Sequence, residues 1–157
     1  MAGAGEGEGS RRYWALSDEV IGSCIEVHQH LGPGLLESAY QVCLGHELSL
    51  RGVRFESQRS LPVEYKGGRL DCGYRLDFLI EDVMVVEVKA VDRLLAVHEA
   101  QLITYLKLTG FEVGLLVNFN VAVLRDGIRR LRRRTELPRR LPASVGTDAE
   151  RGEDPDG

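Results

Sequence analysis

Two charged residues interrupt an otherwise apolar segment of the chain. Residues 83–90 read Val-Met-Val-Val-Glu-Val-Lys-Ala, a run that is typical of a buried strand. Burying a charge is costly unless it has a partner or a bound ion. Because side chains alternate along a strand, Glu87 and Lys89 share one face. We therefore predict that these two charged residues take part in chemistry. The alternative is a surface ion pair on an edge strand.

A third charged residue, Asp77, lies on the preceding predicted strand. If the hairpin loop has three residues, 81–83, the register places Asp77 directly opposite Glu87. Two carboxylates in that position repel each other unless a cation lies between them. Oxygen ligands favour Mg²⁺ or Mn²⁺, whereas zinc prefers His or Cys. We therefore predict a magnesium or manganese site, with Lys89 placed to orient or activate a water and to screen developing negative charge.

The use of lysine at position 89 supports this interpretation. The chain contains three lysines and seventeen arginines, so lysine is the rarer choice for a positive charge. Lysine carries a compact ammonium group, whereas the planar guanidinium of arginine does not fit the same role beside a metal.

The segments around these residues predict an α/β domain. Ser17 followed by Asp18 and Glu19 indicates a helix start, and apolar residues at helical spacing continue to Leu31. Further helices are predicted over 35–51 and 97–109, and strands over 55–60, 61–65, 70–80, 83–90 and 113–118, followed by a segment 121–131 that contains a turn. This order of elements predicts a mixed central sheet flanked by helices.

Composition excludes several classes of protein. The chain has 157 residues, of which 43% are hydrophobic and 28% charged, as expected for one globular domain. No apolar run reaches the roughly 18 residues of a membrane span, and the N-terminus lacks the apolar segment of a signal peptide. Three widely spaced cysteines match neither a disulfide framework nor a zinc motif. We predict a cytoplasmic protein with one domain over 13–134 between disordered tails at 1–12 and 135–157.

Seven arginines lie within residues 129–140. A run of this density is typical of phosphate-backbone contacts, and a solvated tail is the alternative. We assign the four arginines nearest to the domain to substrate binding: Arg129, Arg130, Arg132 and Arg133.

Several motifs, in the same order along the chain, resemble a known family. Gly34-Leu35-Leu36-Glu37-Ser38-Ala39-Tyr40 is similar to the signature of the GxxExxY proteins, which belong to the PD-(D/E)xK nuclease-like superfamily. The likeness covers roughly residues 17–132 and includes three further parts: the Asp77 strand, Glu87-Val88-Lys89, and His98-Glu99-Ala100-Gln101 with Tyr105. The resemblance implies a restriction-endonuclease-like αβββαβ core.

The resemblance also implies roles for the charged residues of the two strands. Asp77 and Glu87 would be the acidic metal ligands, and Lys89 would be the catalytic lysine. The proline in the name of the superfamily is absent, because Leu76 precedes Asp77.

Residues on two predicted helices complete the implied site. Glu37 would be a further metal-binding carboxylate, and a solvated helix glutamate is the alternative. Gln101 and Tyr105 are four residues apart on one helix face and resemble a QxxxY element that supports catalysis or contacts the substrate. For this pair the alternative is a core-packed Tyr105 beside an incidental Gln101.

Together these features predict a metal-dependent nuclease that hydrolyses phosphodiester bonds of nucleic acid, with DNA favoured over RNA and Mg²⁺ or Mn²⁺ as cofactor. The alternative is a catalytically inactive module that binds nucleic acid or protein and keeps the nuclease-like fold. No membrane partner is expected, and a homodimer is left open.

Overall fold

The computed structural model describes residues 5–133. In chain order its elements are α1 (Gly5–Leu31), α2 (Glu37–Leu50), β1 (Phe55–Ser60), β2 (Val63–Tyr65), β3 (Gly68–Leu70), β4 (Arg75–Ile80), β5 (Met84–Lys89), α3 (Ala96–Thr109), β6 (Val113–Asn118) and β7 (Ile128–Arg132). A 3-10 helix, Leu124–Gly127, precedes β7. The predicted α/β class is confirmed.

Five strands form one mixed sheet in the order β1-β4-β5-β6-β7. Strands β5 and β6 are parallel and are connected through α3, whereas every other neighbouring pair in this sheet is antiparallel. Strands β2 and β3 form a separate two-stranded sheet. The order of elements is the predicted αβββαβ, consistent with a restriction-endonuclease-like fold. It consists of the helices that precede β1, then the strands β1, β4 and β5, and finally α3 and β6.

Helices cover both faces of the central sheet. Side chains of α1 and α2 pack on one face, against alternate residues of β4, β5 and β6. Side chains of α3 pack on the other face, against the intervening residues of the same strands. Because both faces of β5 are covered, residues 84–88 are all buried, which explains the continuous apolar run in the sequence.

Helix α1 begins well before the predicted start at Ser17. Its first residue is Gly5, so residues 5–12, which were assigned to a tail, lie in the helix. Ser17 is buried inside α1, and its Oγ accepts a hydrogen bond from Arg130 Nη2 at 2.6 Å. The hydroxyl that resembled a helix cap therefore serves a contact with β7. The predicted tail over 135–157 lies outside the described residues.

The predicted strand over 70–80 is divided in the structure. A loop at residues 71–74 separates β3 from β4. Asp71 Oδ1 accepts a hydrogen bond from the backbone N–H of Gly73 at 2.9 Å, and Gly73 has a φ of +78°. Such a local turn interrupts the extended backbone.

None of the helices in the described range is long and apolar enough to cross a membrane.

Candidate active site

The hairpin between β4 and β5 brings two buried carboxylates together. Leu79 pairs with Val85 and Ile80 with Met84, so the hairpin loop has the three residues 81–83 that were predicted. The same register places Asp77 opposite Glu87. Asp77 is only 8% exposed and Glu87 only 4%, so the two acidic residues lie in the interior of the domain.

The two carboxylates replace backbone pairing where the strands separate. The backbone N–H of Asp77 donates to Glu87 Oε1 at 3.2 Å, and the backbone N–H of Val88 donates to Asp77 Oδ2 at 2.8 Å. Each carboxylate therefore accepts a hydrogen bond from the opposite strand. Leu76 and Leu79 both pack towards α3 although they are three residues apart, so the regular alternation of β4 breaks at Asp77.

The electrostatics of this pair favour a cation. Burial and the negative charge of Asp77 raise the pKa of Glu87 to about 8, although the Asp77 backbone N–H and Lys89 act in the opposite direction. Within residues 5–133 neither carboxylate takes part in a salt bridge. The burial of Glu87 and the absence of an ion pair to Lys89 in this range exclude the surface ion pair considered above.

Glu37 and Lys89 lie at the rim of the same site. Glu37 is the first residue of α2 and is half-buried, whereas Lys89 ends β5 beside Asn118 of β6. Burial raises the pKa of Glu37, the positive charge of Lys89 lowers it, and the negative charge of Asp77 raises it. These mutual effects place Glu37 in the electrostatic environment of the buried pair, and its assignment as a metal ligand stays a prediction.

The donor set fits a hard divalent cation held by few protein ligands. Among the described residues, no group of three or more His, Cys, Asp or Glu side chains is arranged to hold a metal ion. Asp77 and Glu87 alone supply the juxtaposed oxygens, and Mg²⁺ is commonly held by one or two carboxylates together with water and substrate phosphates. Repulsion between two buried carboxylates is relieved by a proton on one of them or by a cation between them.

Helix α3 supplies the two residues predicted to support the site. Gln101 Nε2 donates to Tyr105 Oη at 2.8 Å, as their spacing on the helix allows. Tyr105 packs with Leu79 and Leu102 in the core. Burial and the charge of Glu87 raise the pKa of Tyr105, so this tyrosine is both a core residue and a neighbour of the acidic pair.

The structure does not bring the predicted arginines to the carboxylates. Three of them lie on the edge strand β7, two strands away from β5, and Arg133 follows that strand. Arg129 Nε is 3.9 Å from Glu99 Oε1 of α3, whereas the guanidinium of Arg130 lies 4.5 Å above the ring centre of Trp14 in α1. Two further arginines lie at the end of the described range: Arg132 and Arg133. Their assignment to substrate binding stays a prediction.

Two glutamines that were not predicted from the sequence contact the acidic residues. Gln58 Nε2 donates to Asp77 Oδ1 at 3.4 Å, and Gln41 Nε2 donates to Glu37 Oε1 at 3.3 Å. Gln58 lies on the exposed edge strand β1, where a polar residue is ordinarily solvated. The signal that would have found it is the pairing of β1 with β4, which places position 58 in register with position 77.

A comparison with protein families finds a match that covers most of the chain. The family described as the PD-(D/E)XK nuclease superfamily matches residues 15–131, which is more than half of the chain. The matched range includes the acidic pair, the lysine that follows it and the helix residues of the site. No curated protein and no solved structure matches the chain.

Proposed function

The chain belongs to the PD-(D/E)XK nuclease superfamily, and on that premise we propose that it is a metal-dependent nuclease. Its substrate is nucleic acid, with DNA favoured over RNA, and its cofactor is Mg²⁺ or Mn²⁺. One observation carries the proposal: Asp77 and Glu87 are buried opposite each other, and the pKa of Glu87 is raised to about 8. The narrower GxxExxY assignment stays a prediction.

Asp77 and Glu87 would hold the cation directly, and Glu37 of α2 would add a negative charge at the rim of the site. The hydrogen bonds from Val88 and from the Asp77 backbone fix the two strand carboxylates before any ion binds. A prearranged pair loses little side-chain freedom on binding, which favours a well-defined site. When bound, a divalent cation would polarise the phosphodiester and lower the pKa of an attacking water.

Lys89 would act on the reacting groups. It ends the strand that carries Glu87 and is half-exposed, so its ammonium group lies where water and substrate have access. There it would orient the attacking water and offset negative charge on the phosphoryl oxygens in the transition state. Gln101, joined to the buried Tyr105 by a 2.8 Å hydrogen bond, would support the site from α3.

Metal-dependent stabilisation tests the site directly. Mg²⁺ or Mn²⁺ should raise the Tm of the wild type, because a ligand that binds only the folded state stabilises it. Glu87→Gln keeps an oxygen that can accept the Asp77 N–H but removes the charge, so this variant should lose the metal response. Glu64→Gln, on the exposed strand β2, is the matched control and should respond like the wild type. Equal metal-induced shifts in the wild type and Glu87→Gln would contradict the proposal.

A cleavage screen separates an enzyme from a binding module with the same fold. Single- and double-stranded DNA and RNA would be incubated with the wild type and with Glu87→Gln in the presence of Mg²⁺, Mn²⁺ or Co²⁺. Metal-dependent cleavage by the wild type alone supports the nuclease. Tight binding of nucleic acid without cleavage under all these conditions would favour the catalytically inactive module.

A further inference from the structure

Gln58 has a backbone conformation that its residue type rarely adopts. Its φ is +55°, in the left-handed region that is unfavourable for a residue with a Cβ atom. The residue lies in β1 at the position in register with Asp77, and the pairs on both sides keep one register: Ser57↔Phe78 and Arg59↔Leu76. Strained residues persist where their surroundings hold them, and they are concentrated at functional sites.

The amide of Gln58 lies at the centre of a chain of hydrogen bonds. Its Nε2 donates to Asp77 Oδ1 at 3.4 Å and to Gln41 Oε1 at 3.3 Å. Gln41 Nε2 in turn donates to Glu37 Oε1 at 3.3 Å. At the other end, the backbone N–H of Asp77 donates to Glu87 Oε1. This chain connects Glu37 with the two buried carboxylates of the proposed metal site.

The chain also connects separate elements of the fold. Gln41 lies on α2, Gln58 on the edge strand β1, and Asp77 on the neighbouring strand β4. The register alone would place a regular β residue at position 58 opposite Asp77, but that residue must also reach α2. Gln58 has the left-handed backbone in the same structure in which its amide contacts both α2 and β4.

We propose that Gln58 and Gln41 are positioning residues that set the orientation of Asp77 and Glu37 towards a divalent cation. This inference rests on the proposed function of the acidic site. A primary amide suits the role because it donates hydrogen bonds to a carboxylate without adding a positive charge. Lysine or arginine at either position would neutralise the acids and compete with the cation. Residues that orient metal ligands typically affect metal affinity strongly although they do not touch the metal.

Gln58→Gly separates positioning from a purely structural role. Glycine accepts a positive φ without strain, so the Tm of the metal-free protein should be unchanged or higher. Loss of the amide should nevertheless weaken Mn²⁺ binding by about 10-fold or more. Thermal denaturation without metal and calorimetric titration with Mn²⁺ measure the two effects. A merely structural residue would lower the Tm and leave the affinity for Mn²⁺ unchanged.

Lys66→Gly is the matched control. Lys66 also has a positive φ, +47°, but it lies in the turn between β2 and β3. Its replacement should relax the backbone in the same way and leave Mn²⁺ binding unchanged.

The same titration, repeated with Gln41→Ala and with the double variant, tests whether the two amides act together. The effects of Gln41→Ala and Gln58→Gly on Mn²⁺ affinity should be less than additive, because either change interrupts the same chain. Mn²⁺ binding by Gln58→Gly at wild-type affinity would overturn this inference alone. No Mn²⁺ binding by the wild type would overturn the proposed function, and this inference with it.

Discussion

Two charged regions of the central sheet are organised in different ways. Asp77 and Glu87 come from adjacent strands in one register and therefore meet at one place. Arg129 and Arg130 are consecutive on the edge strand β7, so their side chains diverge, one towards α3 and the other towards α1. The acidic cluster thus arises from strand pairing, whereas a dense run along one strand divides between its two faces.

The surroundings of the two regions also differ. The acidic pair is buried, so its charges interact through a medium of low polarity and are poorly screened. The arginines of β7 are exposed, where salt screens their charges and single ion pairs contribute little. Substitutions at the acidic end should therefore have larger effects than substitutions on β7.

The largest effect is expected at Lys89, next to the acidic pair. Lys89→Ala should reduce cleavage by about 10²-fold or more and leave nucleic-acid affinity within a few-fold, as the proposed action of the lysine on the transition state requires. Lys89→Arg should not restore the rate, since a planar guanidinium does not replace a compact ammonium. Single-turnover cleavage and equilibrium binding measure the two quantities. Lys107→Ala, at the exposed end of α3, is the control and should cleave like the wild type.

The outcome that would contradict this role is a parallel loss. If Lys89→Ala weakens binding as much as it slows cleavage, the lysine holds the substrate and is not specific to the transition state. The region around Asp77, Glu87 and Lys89 would then be a surface that binds the substrate, like the one predicted on β7.

The next effect concerns pH and follows from the burial of Glu87. Its pKa rises from the ordinary value of 4.5 to about 8 on folding, so between these values the folded state retains a proton that the unfolded state has lost. Its contribution to stability is complete below the unfolded pKa and is lost as the pH rises through about 8. Without metal, the Tm should therefore fall between about pH 5 and 8.5.

Glu87→Gln provides the test of this pH dependence. The variant has no group that titrates at this position, so its Tm should vary less over the same range. Mg²⁺ should stabilise the wild type more at the upper end of the range, because fewer protons then compete for Glu87. Parallel Tm profiles for the wild type and Glu87→Gln would assign the pH dependence to other groups.

The meeting of Asp77 and Glu87 was predictable because two local features determine it. Strand alternation fixes which residues share a face, and a three-residue loop fixes the register. Helix α3 was predicted with similar success, since Gly110 marks its end and adopts the left-handed conformation expected there. The superfamily was confirmed by a family match over residues 15–131, a range that includes these elements.

Contacts between distant elements were not predictable in the same way. The role of Gln58 depends on the pairing of β1 with β4, which are separated in the chain by the β2–β3 sheet. The position of Ser17 under Arg130 depends on how α1 packs against β7. Neither contact leaves a periodic pattern, because each joins single polar residues from surfaces that look solvated in the sequence.

A smaller effect is expected on β7, at Arg130. Arg130→Ala removes the hydrogen bond to Ser17 and the contact with the ring of Trp14, so it should lower the free energy of unfolding by about 1 kcal/mol. Cleavage by the folded variant should match the wild type. Urea denaturation measures the change, and Arg69→Ala on exposed β3 is the control. Unchanged stability with weakened nucleic-acid binding would instead support a substrate-binding role for Arg130.

The smallest effect is expected in the salt dependence of nucleic-acid binding. If Arg132 contacts a phosphate of duplex DNA, Arg132→Ala should reduce the slope of log affinity against log salt by about 0.9, equally for all sequences. Arg129→Ala should reduce it less, because Glu99 lies beside that guanidinium. Point substitutions are needed here, since truncation after Ile128 would remove the residues of β7 that pair with β6. An unchanged slope in both variants would show that β7 does not contact phosphates. Equal reductions in both variants would show that Glu99 does not weaken the contribution of Arg129.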